Sequence, residues 1–147
     1  MTNSNEGGYL GIKEFLELVI SFEMAAAQFY RELRAKHENE QVKALLKLLE
    51  IEELKHAKVL KEFEKTGEID GFIQFPPEIE LSMPAVDDTD MGISELIDIA
   101  IERERRAALI YENAASVMAG SFKELLEGLA AFEKEHEEKL KSFKSYY

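Results

Sequence analysis

The pattern Glu-x-x-His occurs twice in this chain, from Glu53 to His56 and from Glu133 to His136. Positions three apart on an α-helix share a face, so each copy directs a carboxylate and an imidazole toward one point. Glutamate fills roughly one position in six, and a single copy would therefore arise easily by chance. The repeat constrains the fold only if both copies lie on the apolar faces of helices.

Four segments carry apolar residues at helical spacing and predict four long helices. They cover residues 11–37, 40–65 and 93–118, and the part of the chain that follows Ser121. Both histidines of the repeated pattern lie on an apolar stripe. Each of the four stripes also contains one glutamate, and these are Glu23, Glu53, Glu104 and Glu133. The predicted fold class is all-α, a four-helix bundle.

The spacing of the four glutamates agrees with two antiparallel helix hairpins. Glu23 and Glu53 are 30 positions apart, and their midpoint falls inside the first predicted break between helices. Glu104 and Glu133 are 29 apart, and their midpoint falls at the second break. Residues equidistant from the turn of such a hairpin face each other, so each hairpin brings two carboxylates to one level.

Residues 66–91 predict a long connection between the hairpins, because they contain all three prolines of the chain. A crossover of this length makes the second and third helices parallel and brings all four carboxylates to the same level. We expect apolar residues of the connection to pack against the helices, namely Phe72, Ile73, Phe75, Ile79 and Leu81.

Four carboxylates in an apolar core would be very costly without a counter-charge. Two divalent metal ions would balance them, with one neutral histidine nitrogen for each ion. Oxygen-rich ligation with imidazole suits iron or manganese, and zinc can also enter such a site. Tyr30 and Tyr111 each follow a glutamate by seven positions. They are expected either to hydrogen-bond ligand carboxylates or to pack in the core without a further role.

Together, Glu23-x6-Tyr30, Glu53-x2-His56, Glu104-x6-Tyr111 and Glu133-x2-His136 resemble the ferritin-like di-iron carboxylate superfamily, specifically its rubrerythrin-like branch. The resemblance covers about residues 11–143. It implies a ferritin-like bundle, a homodimer by analogy, and two metal ions, with iron the first candidate. The ligands that it implies are Glu23, Glu53, His56, Glu104, Glu133 and His136.

Two features depart from the rubrerythrins. Those proteins carry a C-terminal rubredoxin domain with four cysteines, and this chain has no cysteine. Ala107 stands where they have an additional glutamate, so the site is closer to the four-Glu, two-His centres of bacterioferritins. Reduction of hydrogen peroxide by the rubrerythrin route therefore does not follow directly.

The leading interpretation is a di-iron oxidoreductase of the peroxidase or ferroxidase type, which reacts with dioxygen or peroxide. Its electrons would come from a separate donor protein or from the iron itself. Two alternatives remain open. One is a metal-binding protein without turnover, such as an iron sensor, buffer or carrier. The other is a metal-free helical interaction module.

Charge and composition limit the partners and the location. The net charge of −12 disfavours nucleic acid and anionic membranes as partners. The chain has no apolar run long enough to span a membrane, and its start lacks the apolar core of a signal peptide, so we expect a cytoplasmic protein. Residues 1–10 are predicted to be a flexible tail and residues 11–147 a single ferritin-like domain.

Four features near the motifs are assigned structural roles only. Arg103, Arg105 and Arg106 are expected to form a solvated face with helix salt bridges. His37 is expected at an exposed helix end, and Glu52 lies off the apolar stripe. Gly128 interrupts the fourth helix at a cost of about 1 kcal/mol relative to alanine, for which close packing is the only explanation offered.

Overall fold

The structure is a computed structural model that describes residues 9–66, 71–74 and 92–144. Within these residues the chain forms four long helices and two short strands. The helices are α1 (Ile12–Ala35), α2 (Glu40–Thr66), α3 (Ile93–Ala115) and α4 (Gly120–Lys144), and the strands are β1 (Tyr9–Gly11) and β2 (Phe72–Gln74). The predicted all-α four-helix bundle is confirmed.

Both predicted breaks between helices are present, at residues 36–39 and 116–119. At the first, the Asn39 side-chain oxygen accepts hydrogen bonds from the backbone N–H groups of Gln41 and Val42, at 2.9 and 3.0 Å, which satisfies free donors at the start of α2. At the second, Gly120 has a φ of +67°, a conformation that residues with a side chain rarely adopt. Each break therefore reverses the chain within a few residues, and α1 packs on α2 as α3 packs on α4.

The buried apolar residues form two clusters, one toward each end of the bundle. Helix α1 passes from the first cluster, at Ile12 to Ile20, to the second, at Ala26 to Leu33. Helix α4 runs in the same direction, whereas α2 and α3 both run from the second cluster to the first. The second and third helices are therefore parallel, as the long crossover requires. Every helix also crosses the layer between the two clusters.

The beginning of the connection lies beside the start of α1. Strands β1 and β2 pair antiparallel, with Leu10 opposite Ile73, and the Ile12 N–H donates to the Gly71 carbonyl at 3.2 Å. Ile73 is buried as predicted. The prediction for Phe72 is wrong, since it is 70% exposed, because successive side chains of a strand point to opposite faces.

Parts of two predictions lie outside the described residues. These include Phe75, Ile79 and Leu81 of the connection, and residues 1–8 of the predicted tail. Tyr9 and Leu10, the last two residues of that tail, belong to β1. None of the described helices has the length and apolar character needed to cross a bilayer.

Candidate metal centre

All six candidate ligands lie in the layer between the two apolar clusters. Helix α1 supplies Glu23, α2 supplies Glu53 and His56, α3 supplies Glu104, and α4 supplies Glu133 and His136. Five of them have no exposed surface, and His56 is 6% exposed. The structure thus brings all six together, while their role as metal ligands stays a prediction.

The six side chains form two overlapping sets of potential metal donors. The first, called the His56 half below, contains Glu23, Glu53, His56 and Glu133. The second, called the His136 half, contains Glu53, Glu104, Glu133 and His136. In each half one donor atom per residue lies within 4.8 Å of all the others. Glu53 and Glu133 belong to both halves, which is the arrangement needed for carboxylates that bridge two ions.

Each histidine lies close to the shared carboxylate of its own helix. His56 Nδ1 lies 3.1 Å from Glu53 Oε1, and His136 Nδ1 lies 3.2 Å from Glu133 Oε1. The imidazole rings stack with their centroids 5.8 Å apart and their planes 12° from parallel. These distances reflect the pseudo-twofold symmetry expected from the repeated Glu-x-x-His pattern.

Two side chains support the cluster from the opposite hairpin. Glu52 is half-buried, and its Oε1 accepts a hydrogen bond from His136 Nε2 at 2.8 Å. A carboxylate in this position fixes the orientation of the ring and directs Nδ1 toward the cluster, as is usual for metal-binding histidines. The Tyr111 hydroxyl donates to Glu23 rather than to Glu104 of its own helix. The buried Tyr30 hydroxyl has no hydrogen-bond partner among the described residues.

Arg103 lies inside the cluster, and the prediction that it belongs to a solvated face is wrong. Its side chain is buried, and Nη1 donates to Glu53 Oε2 at 2.8 Å and to Glu133 Oε2 at 2.9 Å. It also contacts both oxygens of Glu104, at 3.1 and 3.3 Å. Nη2 donates to Glu23 Oε1 at 3.2 Å. Arg103 thus binds all four carboxylates.

The sequence does carry a signal for the position of Arg103. Residues 96, 100, 103, 107, 110 and 114 alternate in steps of four and three, which is the spacing of a buried helical stripe. Its neighbours Arg105 and Arg106 do pair with Glu102 at the surface, as predicted. The expectation for His37 is also wrong, since it is only 5% exposed.

Comparison with known proteins identifies the family. A sequence model of the rubrerythrin family matches residues 14–144. The chain belongs to the rubrerythrin family. No curated protein matches it.

Two solved structures resemble this rubrerythrin-family chain. A candidate ferritin-like diiron-carboxylate protein from Thermotoga maritima superposes with a TM-score of 0.80 at 23% identity, over 93% of this chain and 96% of the other. A hypothetical protein from Pyrococcus furiosus superposes with a TM-score of 0.72 at 25% identity, over 92% and 89%. Both support the ferritin-like fold.

The electrostatics of the cluster divide the four carboxyls into two pairs. Burial, followed by repulsion from Glu104 and Glu23, raises the pKa of Glu133 to about 7. Burial and three neighbouring carboxylates likewise raise the pKa of Glu53 well above its usual range. Burial alone would also raise the pKa values of Glu23 and Glu104. Arg103 and the histidines outweigh burial and lower the pKa values of these two carboxyls. The two shared carboxyls are therefore the ones that resist ionisation.

Both histidines also gain protons more readily than usual. Burial lowers the pKa of each ring, but the adjacent carboxylates outweigh it and raise the pKa of His56 and, more strongly, of His136. Glu23 and Glu133 have this effect on His56, and Glu104, Glu133 and Glu53 have it on His136. A bound cation would displace these protons, since metal ligands must be deprotonated.

The chemistry of the unpaired atoms fits a bound metal pair. Among the described residues, His56 Nδ1, Glu53 Oε1 and Glu133 Oε1 are buried and have no hydrogen-bond partner. Buried polar atoms without partners are costly, and such exceptions in a native site call for an explanation. All three belong to candidate metal ligands, and divalent cations bound in the cluster would satisfy them.

Proposed function

We propose that this rubrerythrin-family chain binds two metal ions, with iron as the first candidate, and reduces dioxygen or peroxide with them. The observation that carries the proposal is the pair of overlapping donor sets that share Glu53 and Glu133. Glu23 and His56 would complete the first ion's ligands, and Glu104 and His136 those of the second. A bound iron pair would supply the electrons that reduce the oxidant.

The remaining residues would orient the ligands and hold protons near them. Glu52 fixes the His136 ring, and the Tyr111 hydroxyl holds its proton toward Glu23. Reduction of dioxygen or peroxide to water consumes protons, and Glu53 and Glu133, whose pKa values are raised, release theirs when cations bind. A separate donor protein would supply electrons in a peroxidase, whereas iron(II) itself would supply them in a ferroxidase. A cytoplasmic homodimer remains our expectation.

The direct experiment is anaerobic loading with iron(II), followed by air or hydrogen peroxide. We expect two irons per chain and the growth of ferric absorption in the near ultraviolet after either oxidant. Protein loaded with zinc(II), which has no redox chemistry, is the control. If iron-loaded protein develops no ferric absorption with either oxidant, the redox proposal is wrong.

A metal-binding protein without turnover is the second candidate. The observation that favours it is burial, because five of the six candidate ligands have no exposed surface and a buried arginine contacts their carboxylates. Such a protein would oxidise its iron at most once, without repeated reduction of peroxide when an electron donor is supplied. Multiple turnovers under those conditions would exclude this candidate.

The route that we propose for a small oxidant is a pocket of about 300 Å³ between α2 and α4. It is lined mainly by apolar atoms, and its lining includes His56, Phe132 and Gly128. His56 is also the one candidate ligand with any exposed surface. A Cβ atom built on Gly128 would meet no atom within 4 Å, so the close packing expected there is wrong. The glycine instead leaves this pocket open beside the cluster.

We therefore predict that Gly128→Leu slows the oxidation of bound iron(II) by peroxide at least severalfold, because the added side chain fills the pocket. Gly128→Ala is the matched control, and it is expected to stabilise α4 by about 1 kcal/mol with little effect on the rate. Stopped-flow absorption measures the rate, and elemental analysis checks that both variants bind the same amount of iron. Equal rates for the leucine variant and the wild type would exclude this route.

A further inference from the structure

The contacts of Arg103 are distributed unequally between the two halves of the cluster. Nη1 binds Glu53 Oε2, Glu133 Oε2 and both oxygens of Glu104, which are the three carboxylates of the His136 half. Nη2 makes one contact with Glu23 and one with the Phe22 carbonyl, each at 3.2 Å. Glu53 and Glu133 belong to both halves, so the inequality lies between Glu104, which accepts from Arg103 through both oxygens, and Glu23, which accepts through one.

Two of the three unpaired ligand atoms, His56 Nδ1 and Glu53 Oε1, lie 3.1 Å apart in the His56 half, and the third, Glu133 Oε1, lies between the two histidines. His56 Nδ1 and the Oε1 atoms of Glu53 and Glu133 are buried and have no hydrogen-bond partner among the described residues. In the His136 half, by contrast, both oxygens of Glu104 accept from Arg103, and both ring nitrogens of His136 are hydrogen-bonded, to Glu104 and Glu52. In the His56 half only Glu23 has both oxygens hydrogen-bonded, to Arg103 and Tyr111. A first cation there would thus displace fewer hydrogen bonds than a second cation in the His136 half.

The net charge of the cluster also favours the first cation over the second. The four glutamates must be ionised to act as ligands, and Arg103 keeps its positive charge at all relevant pH values. With neutral histidines, the cluster then carries a net charge of three negative units. One divalent cation leaves one negative charge, and a second makes the buried cluster positive. The attraction for the second ion is correspondingly weaker.

We propose that Arg103 makes the two metal positions unequal: the His56 half binds the first divalent cation tightly, and Arg103 competes with a second cation for the carboxylates of the His136 half. This inference rests on the proposed metal pair and adds an order of filling to it. Full occupancy requires the guanidinium to give up its contacts with Glu53, Glu104 and Glu133.

The test is anaerobic calorimetric titration with cobalt(II), a divalent ion without redox chemistry under these conditions. Wild-type protein is expected to bind two ions in two steps whose affinities differ by about tenfold or more. Arg103→Met removes the charge and keeps much of the apolar volume. It is expected to tighten the second step by about tenfold or more and the first step by a smaller factor. Arg105→Met, at an exposed surface ion pair on the same helix, is the matched control.

Arg103→Lys provides a second variant in case the methionine variant does not fold without metal. Lysine keeps the charge but lacks the planar fork that binds several carboxylates at once, so the second step should tighten by a smaller factor. Two bound ions whose second step is unchanged in the folded Arg103 variants would overturn this inference and leave the metal pair intact. No binding by wild-type protein would instead overturn the proposed function, and this inference with it.

Discussion

Glu133→Gln is expected to abolish binding of the metal pair while the protein stays folded. Glu133 belongs to both donor sets, so its replacement weakens both positions at once. Loss of a residue that only supports a ligand costs about 10–100-fold in metal affinity, and loss of a shared ligand should cost at least about 100-fold. Glutamine is close in shape to a protonated glutamate, the form that burial favours at this position. The metal-free variant should therefore melt at or above the wild-type temperature.

Glu135→Gln is the matched control, because Glu135 is exposed on the same helix and pairs with Lys139 at the surface. It should bind two ions per chain with wild-type affinity. Titration calorimetry gives affinity and stoichiometry, and thermal melting of the metal-free proteins checks the fold. Two tightly bound ions in the Glu133→Gln protein would show that this carboxylate does not bridge them.

The second large effect concerns the pH dependence of the protein's stability, which bound metal is expected to reverse. Burial raises the folded-state pKa of Glu133 from 4.5 to about 7, so the folded state binds more protons than the unfolded state between these values. The stability of the metal-free protein must then fall as pH rises through this window, by on the order of 3 kcal/mol from Glu133 alone. The raised pKa values of Glu53 and His136 act in the same direction. The lowered pKa values of Glu23 and Glu104 act below 4.5, outside the window.

Bound cations should reverse this trend, because they bind only the deprotonated ligands and compete with protons. The increase in melting temperature that metal produces should therefore grow from pH 5 to pH 8. Melting curves of metal-free and metal-saturated protein at each pH measure it. Because the whole chain is acidic, Glu133→Gln is the comparison that isolates the site, and its metal-free slope should be shallower. Parallel slopes with and without metal would show that the ligands lose no protons on binding.

The helices and the six clustered side chains were predictable because they depend on local periodicity. Glu23 and Glu104 interrupt apolar stripes, and each Glu-x-x-His pair lies on one helix face whatever the rest of the chain does. The hairpin symmetry then placed the carboxylates at one level without any knowledge of tertiary contacts.

The supporting contacts were not predictable in this way, because their partners are distant in sequence. Glu52 reaches His136 across 84 positions, and Tyr111 reaches Glu23 across 88. Neither pairing leaves a local pattern, and Glu52 lies off the apolar stripe of its own helix. Of the two tyrosines, Tyr111 does hydrogen-bond a candidate carboxylate, but one of the other hairpin, and the Tyr30 hydroxyl has no hydrogen-bond partner among the described residues.

The sequence alone favours a surface position for Arg103, because a charged residue close to two further arginines normally belongs to a solvated surface. Its position on the buried stripe of α3 does point inward. Contacts with four carboxylates offset the desolvation cost of burying the guanidinium. The role of Gly128 also depends on tertiary structure. A glycine within a helix suggests close packing, and only the structure shows the open pocket beside it.

The most direct test of the paired-metal account is crystallography of iron-loaded protein, with anomalous diffraction recorded at the iron absorption edge. We predict two anomalous peaks between the helices, one among Glu23, Glu53, Glu133 and His56 and the other among Glu53, Glu104, Glu133 and His136. Full loading with no anomalous peak inside this cluster would contradict the account.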